Sequence, residues 1–390
     1  MSKIILKPGC EQRIRYRHPW IYREDIETCA GEPQDGDEVS VTSSQGDPIG
    51  RGFYSASSPV AINLLSFQDD RLDTGFFRDR LRHIDESRRQ FLGKREVLRC
   101  VNGEGDLLPG LVVDRYGDVI VIQTMSAGME RIKSEIAGIL DELYTPRIIY
   151  ERNDCPERRQ AGLPSTKGFL KGAETTPVEI VVDGLTFEVD FIDGAGTGFF
   201  LDHKANTRLV RKLAKNKSIL DCYSYTGQFA VNAARGRAKQ VTAIEIDPGN
   251  VKRGRMNSTR NEFGELIDWS VADVLDALAN FEKYDVSFDI IILDPPAVPS
   301  TSEERDNALV SLKEINSYAM RLIKPGGMLM SSLRSSVPTM EEFLDIMRGA
   351  AQAAEKVFRV IGTATQDRDF PYLLTIPESL QLTAMYVEVF

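Results

Sequence analysis

From residue 218 onward, short apolar runs alternate with stretches whose apolar residues recur at helical spacing. "SILDCYS", "QVTAIEID", "IDWSVAD", "SFDIIILDPP" and "GGMLMSSL" read as strands. "GQFAVNAAR", "PGNVKRGRMNSTRNEF", "VLDALANFEKY", "SEERDNALVSLKEINSYAMRLI" and "TMEEFLDIMRGAAQAAEK" read as the helices between or after them. Such alternation predicts an α/β fold: a mostly parallel, doubly wound sheet with helices on both faces, whose ligands bind beyond the carboxyl ends of the strands. This domain is expected over residues 173–390, entered through a hairpin, "VEIVVDGLTFEVDF", with Asp183 and Gly184 as its turn pair.

The upstream pattern differs. Residues 1–70 are short strands divided by "KPG", "GEPQDGDE", "SSQGDPIG" and "SASSP", which predicts a small β domain; Gly50 and Gly52 would let its backbones pack closely. In "TGFFRDRLRHIDESRRQFL", Phe77, Leu81, Ile84 and Phe91 fall at helical intervals, with Thr74 as the expected N-cap. Two β runs around a "YGD" turn, a helix over "AGMERIKSEIAGILDELY" and a strand at "RIIYER" complete a central α+β domain over residues 71–172.

A chain of 390 residues fits two or three such domains. Its apolar runs, such as "IIIL", fall far short of the roughly 20 residues needed to span a bilayer, and "MSKIILKPGC" is too short an apolar run for a secretory signal. Five cysteines far apart in sequence (Cys10, Cys29, Cys100, Cys155, Cys222) argue against a disulfide framework and for a cytoplasmic protein with free thiols. His18, His83 and His203 are isolated, and no metal site is expected. The net charge of −10 opposes a surface that coats nucleic acid throughout. Locally, "EQRIRYRHPWIYR" interleaves Arg13, Arg15, Arg17 and Arg23 with Tyr16, Trp20 and Tyr22. That mixture suits unpaired RNA, and equally a charged strand with aromatics turned into the core.

The candidate chemistry lies at the strand ends. "LDCYSYTGQFAV" is a strand, a loop and a helix start with one glycine, Gly227; it has neither the G-x-G-x-x-G of a dinucleotide site nor a Walker-type phosphate loop. Glu245, 18 residues beyond Gly227, ends the second strand where an acid can accept both hydroxyls of a ribose. Asp273 ends the third and could take the exocyclic amine of adenine; Asp294 of "LDPP" ends the fourth at the central crevice.

In this order the motifs resemble those of class I S-adenosylmethionine-dependent methyltransferases. More closely, "RHPWIY", "GEGDLLPGLVVDRYGD", "GTGFFLDHKANTR", "CYSYTGQFAV", "LDPP" and "KPGG" resemble bacterial large-subunit ribosomal RNA 5-methylcytosine methyltransferases that carry an N-terminal PUA domain. The resemblance spans nearly the whole chain. It implies S-adenosylmethionine as cofactor, RNA as partner through the N-terminal domain, a Rossmann-like C-terminal domain and, more weakly, a homodimer. Tyr223, Ser224, Tyr225, Thr226 and Gly227, beside Asp221, would wrap the methionine part of the cofactor. Glu245 would hold the ribose and Asp273 the adenine edge, with Ile246 and Val274 also among the cofactor-binding residues. Phe199, Phe200 and Asp202 would close the pocket, and Asp294 would face the reacting centre.

The pattern breaks at the nucleophile. Carbon-5 of cytosine is made reactive by adding a cysteine thiolate to carbon-6, and in the resembled family that cysteine ends the fifth strand in a Ser-Cys-Ser setting. Here "MLMSSLRSSVP" puts Arg334 in its place, followed by Ser335, and Ala297 stands where the family commonly has lysine after "DPP". Cys222, before the cofactor loop, reads as a buried filler. Three readings stand: an RNA methyltransferase whose acceptor atom needs no covalent adduct, a carbon-5 enzyme with another nucleophile, or a non-catalytic RNA-binding protein that keeps a cofactor pocket.

Overall fold

The computed structural model describes residues 2–299, 302–334 and 339–390, so Ser335 lies outside the described residues. The chain folds as two units. The first comprises Met1–Ile180, Val189–Leu201 and Arg368–Ser379; the second Val181–Glu188, Asp202–Asp367 and Leu380–Phe390.

The first unit holds two sheets with separate cores. Ser2–Leu6, Trp20–Tyr22, Ile26–Ala30, Glu38–Thr42, Pro48–Tyr54 and Val60–Ser66 form a six-stranded sheet around Ile4, Leu6, Ile21, Val39, Val41, Ile62 and Leu64. Gly50 and Gly52 are required there: a Cβ would lie 2.2 Å from the Ser66 carbonyl oxygen and 2.1 Å from that of Asn63. The helix Thr74–Leu92 is capped by Asp73, whose carboxylate accepts from the Phe76 N–H, so Thr74 is its first residue and not its cap. Phe77, Leu81 and Ile84 are buried as expected, but Phe91 is 71% exposed. The inward position of that last turn belongs to Arg88, which is buried and paired with Asp106 at 2.6 Å. The second sheet has five strands, in the order 166–171, 148–153, 119–124, 111–116 and 97–102. The helix expected beside it is two, Ala127–Arg131 and Lys133–Tyr144, broken at Ile132 (φ −99°, ψ 8°).

In the second unit seven strands, numbered within their sheet, are β1 (Ser218–Cys222), β2 (Gln240–Glu245), β3 (Ile267–Val271), β4 (Phe288–Leu293), β5 (Ile323–Arg334), β6 (Phe358–Thr365) and β7 (Leu382–Val389). Their order is β3-β2-β1-β4-β5-β7-β6. The first five run parallel; β7 is antiparallel to both neighbours. The hairpin of β6 and β7 was not foreseen in the sequence. The helices are α1 (Lys204–Leu213), α2 (Gln228–Arg235), α3 (Pro248–Arg260), α4 (Val274–Lys283), α5 (Ser302–Leu322) and α6 (Met340–Ala353). Leu220, Cys222, Ile244, Ile291, Leu293 and Leu329 form the spine of the core. Register fixes what matters for chemistry. Cys222 lies opposite both Ile244 and Leu293, Glu245 opposite Val271, and Leu293 opposite Ser331. The residues that follow these strand ends therefore emerge along one edge of the sheet. The turn pair Asp183 and Gly184 sits at φ 51° and 76°, the geometry of a tight hairpin.

Candidate active site

After β1 the backbone folds sharply, with Tyr223 and Tyr225 at φ 59° and 48°, a conformation that costs a side-chain-bearing residue on the order of 1–3 kcal/mol and is held only by surrounding contacts. Ser224 provides them. Its N–H donates to the Ile244 carbonyl (3.0 Å) and its hydroxyl to that of Asp221 (2.7 Å), so it ties the loop to β1 and β2 and its own hydrogen bonds stay within the protein. Gly227 starts α2 at φ 91°, and a Cβ there would lie 2.8 Å from the Trp269 ring; this glycine answers to its turn and to an indole packed beneath the loop.

Three buried polar atoms around this loop have no partner among the described residues: Asp221 Oδ1, Thr226 Oγ1 and Gln228 Nε2. Asp221 Oδ2 accepts from the Ala230 N–H at 2.9 Å. Burial, and then the Asp294 charge, push the Asp221 carboxyl up to about 8. Two acceptors and one amide donor, buried and unsatisfied together, are the complement of an ammonium and a carboxylate on one small ligand, which is the chemistry of a free methionine end.

Glu245 ends β2 with both oxygens engaged: Oε2 accepts from the Tyr225 N–H and Oε1 from that of Asp247, each at 2.9 Å. Next to it Ile246 is an exposed apolar side chain. Asp273 caps α4 through Oδ1, which accepts from the Leu275 and Asp276 N–H groups, and Val274 is buried behind it.

At the end of β4, Asp294 Oδ1 accepts from His203 Nε2 (2.9 Å) and from the Ser332 hydroxyl (2.5 Å). Arg334, at the end of β5, donates to Asp202, and its Nη2 stands 3.8 Å from Asp294 Oδ2. Burial works to raise both carboxyls, yet Asp294 is held well below the usual range by His203, Arg334 and Ser332, and Asp202 is held down by Arg334 and His203. Cys222 is fully buried in β1 with its thiol pKa raised by burial.

Residues 159–362 match the S-adenosylmethionine-dependent methyltransferase family, and residues 4–67 the PUA-like domain family. The chain is 33% identical over 394 residues to ribosomal RNA large subunit methyltransferase I of Pseudoalteromonas translucida, covering 100% of both chains. It is 32% identical to the protein of the same name from Tolumonas auensis, over 99% of each. The chain belongs to the S-adenosylmethionine-dependent methyltransferase family. Among solved structures, a Streptococcus mutans protein described as a methyltransferase superposes at a TM-score of 0.85 with 20% identity over the whole of both chains, which shows a common fold. The expected fold, the PUA-like domain and S-adenosylmethionine as cofactor are thereby established for this methyltransferase.

The structure brings Asp221, Tyr223 to Gly227, Glu245, Ile246, Asp273, Val274 and Asp294 to one edge of the sheet, with Asp202 joined through Arg334. Phe199 and Phe200 belong to the first unit, where Phe199 is buried and its carbonyl accepts from Tyr116. Sequence reasoning passed over Gln228, His203, Asn206, Ser332 and Tyr386. His203 was set aside because no second histidine or cysteine stood near it; its partner, Asp294, is 91 residues away in sequence.

The basic aromatic stretch divides in two. Its start is a short helix, Glu11–Arg15. Arg13 pairs with Asp25 at 2.7 Å, Arg23 donates to the Ser55 and Ser58 carbonyls, and the His18 ring receives the Trp20 N–H. Arg15, Tyr16 and Arg17 are exposed. No helix among the described residues is long and apolar enough to cross a membrane.

Proposed function

We propose that this methyltransferase acts in the cytoplasm on RNA, ribosomal RNA of the large subunit first among candidates, and at an atom reached without a covalent enzyme adduct. The observation that carries the reading is the end of β5. The position expected to hold a nucleophilic cysteine is Arg334, bound to Asp202 and facing Asp294. The second unit has one cysteine in its whole sequence, Cys222, wholly buried and held in its unreactive thiol form. The relatives' name supports ribosomal RNA, and the PUA-like domain with its outward Arg15, Tyr16 and Arg17 supports RNA contact.

In this reading Asp221, Thr226 and Gln228 hold the methionine end of the cofactor, Glu245 and Ile246 the ribose, and Asp273 and Val274 the adenine edge. The cofactor, when bound, supplies an electrophilic methyl on sulfur. The protein's part is to set the acceptor in line with that methyl, which converts a bimolecular encounter into a step within one complex.

Total RNA from a strain lacking the gene, incubated with the enzyme and methyl-labelled S-adenosylmethionine and then digested to nucleosides, tests the reading. Label is expected in a modified nucleoside other than 5-methylcytidine. Label in 5-methylcytidine would overturn the adduct-free reading.

A further inference from the structure

Asp294 is held from one side only. Its Oδ1 receives two hydrogen bonds, from His203 Nε2 and Ser332 Oγ, whereas among the described residues Oδ2 receives none and has the Arg334 charge at 3.8 Å. His203 is 1% exposed and lies edge-on to the Phe229 ring, with ring centroids 5.1 Å apart. Its second nitrogen is also committed. The Tyr386 hydroxyl donates to Asn206 Oδ1 at 2.7 Å, which turns the Asn206 amide nitrogen toward His203 Nδ1 at 2.9 Å. With Nδ1 accepting, the imidazole proton sits on Nε2 and points at Asp294. A buried chain from Tyr386 on β7 through Asn206 and His203 on one side, and Ser332 on β5 on the other, thus fixes one oxygen and leaves the other without a hydrogen bond among the described residues.

We propose that Asp294 Oδ2 receives a hydrogen bond from the amino group of the target base, so that the methylated atom is an exocyclic amine nitrogen, and that His203 is the residue that positions Asp294 for it. The proposal rests on the adduct-free reading above and narrows it. A carboxylate oxygen only accepts, so it selects a group that carries hydrogen. A ring imine nitrogen would present a lone pair to a negative oxygen and be repelled. A ring N–H or a ribose hydroxyl must shed its proton as it attacks, which calls for a base with a pKa near the working pH; Asp294 is held far below that. An amino nitrogen attacks with its own lone pair. The N–C bond forms as the S–C bond breaks, the sulfur keeps the bonding electrons and becomes a neutral thioether, and the nitrogen, now cationic and strongly acidic, passes one proton to the waiting carboxylate and from there to water.

The test uses the full-length enzyme, ribosomal RNA from the gene-deletion strain as probe, and mass spectrometry of the digested nucleosides. The expected product is a base methylated on its exocyclic amine. A ring-nitrogen or ribose 2′-O-methyl product overturns this proposal and leaves the adduct-free reading standing; 5-methylcytidine, or no transfer to RNA, overturns both. For His203 the readout is kinetic. His203→Ala is expected to lower kcat by about tenfold or more with KM for S-adenosylmethionine unchanged, and His203→Gln, whose amide N–H can still donate to Oδ1, to recover most of the loss. Equal kcat in wild type and His203→Ala, or no recovery by glutamine, refutes the positioning role. Should His203→Ala fail to fold, Tyr386→Phe removes the far end of the same chain, and a kcat indistinguishable from wild type would count against it.

Discussion

Asp221 gives a measurable link between protons and cofactor. Its carboxyl is pushed up to about 8, by burial first and then by the charges of Asp294 and Glu245. At pH 7 a group with that pKa is roughly nine-tenths protonated. An ammonium placed against the unpaired Oδ1 favours the anion and returns the carboxyl toward its ordinary range, so binding the cofactor at pH 7 releases about 0.9 proton. The dissociation constant then falls by about tenfold per unit as pH rises from 6 to 7, or ~1.4 kcal/mol, and the gain flattens as pH approaches 8. Asp294, held below the usual range, stays ionised across this window and adds no slope. Calorimetric titrations with S-adenosylmethionine in two buffers of different ionisation enthalpy count the released proton directly, and Asp221→Asn, the neutral isostere, is the control. Stability has the opposite sign. The folded-state pKa lies above the unfolded value of about 3.9, so the stabilisation from the protonated carboxyl is complete below that value and is lost as pH rises through 8. Without cofactor, Asp221→Asn should melt progressively higher than wild type from pH 5 to 8 while binding cofactor more weakly. Equal proton release by the two proteins would refute the placement of the ammonium at Asp221.

Three further expectations follow from the same geometry. Arg334→Met leaves Asp202 buried without its cation and should cost about 3 kcal/mol in urea unfolding at pH 7. Because the Asp202 and Asp294 pKa values are depressed, that contribution is present above about pH 3.9 and disappears as pH falls through the lower folded-state values, so the two unfolding curves should converge in acid; a constant gap would contradict it. Glu245→Ala should weaken cofactor binding by about 1–3 kcal/mol, since it removes the acceptor proposed for the ribose and frees the Tyr225 and Asp247 N–H groups as well; unchanged affinity by calorimetry undoes the assignment. Arg15→Glu with Arg17→Glu should reduce RNA affinity and flatten its dependence on salt, by a slope of about 0.7 for each phosphate no longer neutralised, and an unaltered slope would return both arginines to the solvated surface.

The middle of the sheet was legible because its inner parallel strands are mostly buried and rich in apolar residues; "IIIL" before Asp294 and "AIE" ending in Glu245 mark their own carboxyl ends, whereas β3 at the edge alternates buried and exposed residues. The last hairpin was not. "FRVIGTAT" is an edge strand with much of its surface exposed, so its pattern lacks a buried stretch to read. Local chemistry misled at one helix start. Thr74 and Asp73 are both good caps, and only backbone geometry chooses Asp73. Gly227 also has a packing role that the sequence does not show, since the Trp269 ring takes up the space its side chain would need. The pieces that escaped altogether, His203, Asn206, Ser332 and Tyr386, are ordinary residues in sequence. Their function is positional, created when α1, β5 and β7 converge on the end of β4, and no spacing rule along one segment reports a contact made across 180 residues, as between Asn206 and Tyr386.

The Arg334 cluster also bears on the proposal that no cysteine nucleophile acts at the end of β5. Asp202, Asp221, Glu245 and Asp294 crowd four carboxyl groups around one crevice, and the Asp221 carboxyl, lifted to about 8, shows how strongly burial and neighbouring charge already penalise a further anion there. A thiolate at position 334 would be one more negative charge beside Asp202 and Asp294, with the cation that now offsets them removed. Its pKa would rise, its thiolate fraction at neutral pH would fall, and its attack on a pyrimidine would slow accordingly. Arg334, Asp202, His203 and Asp294 therefore behave as one electrostatic unit.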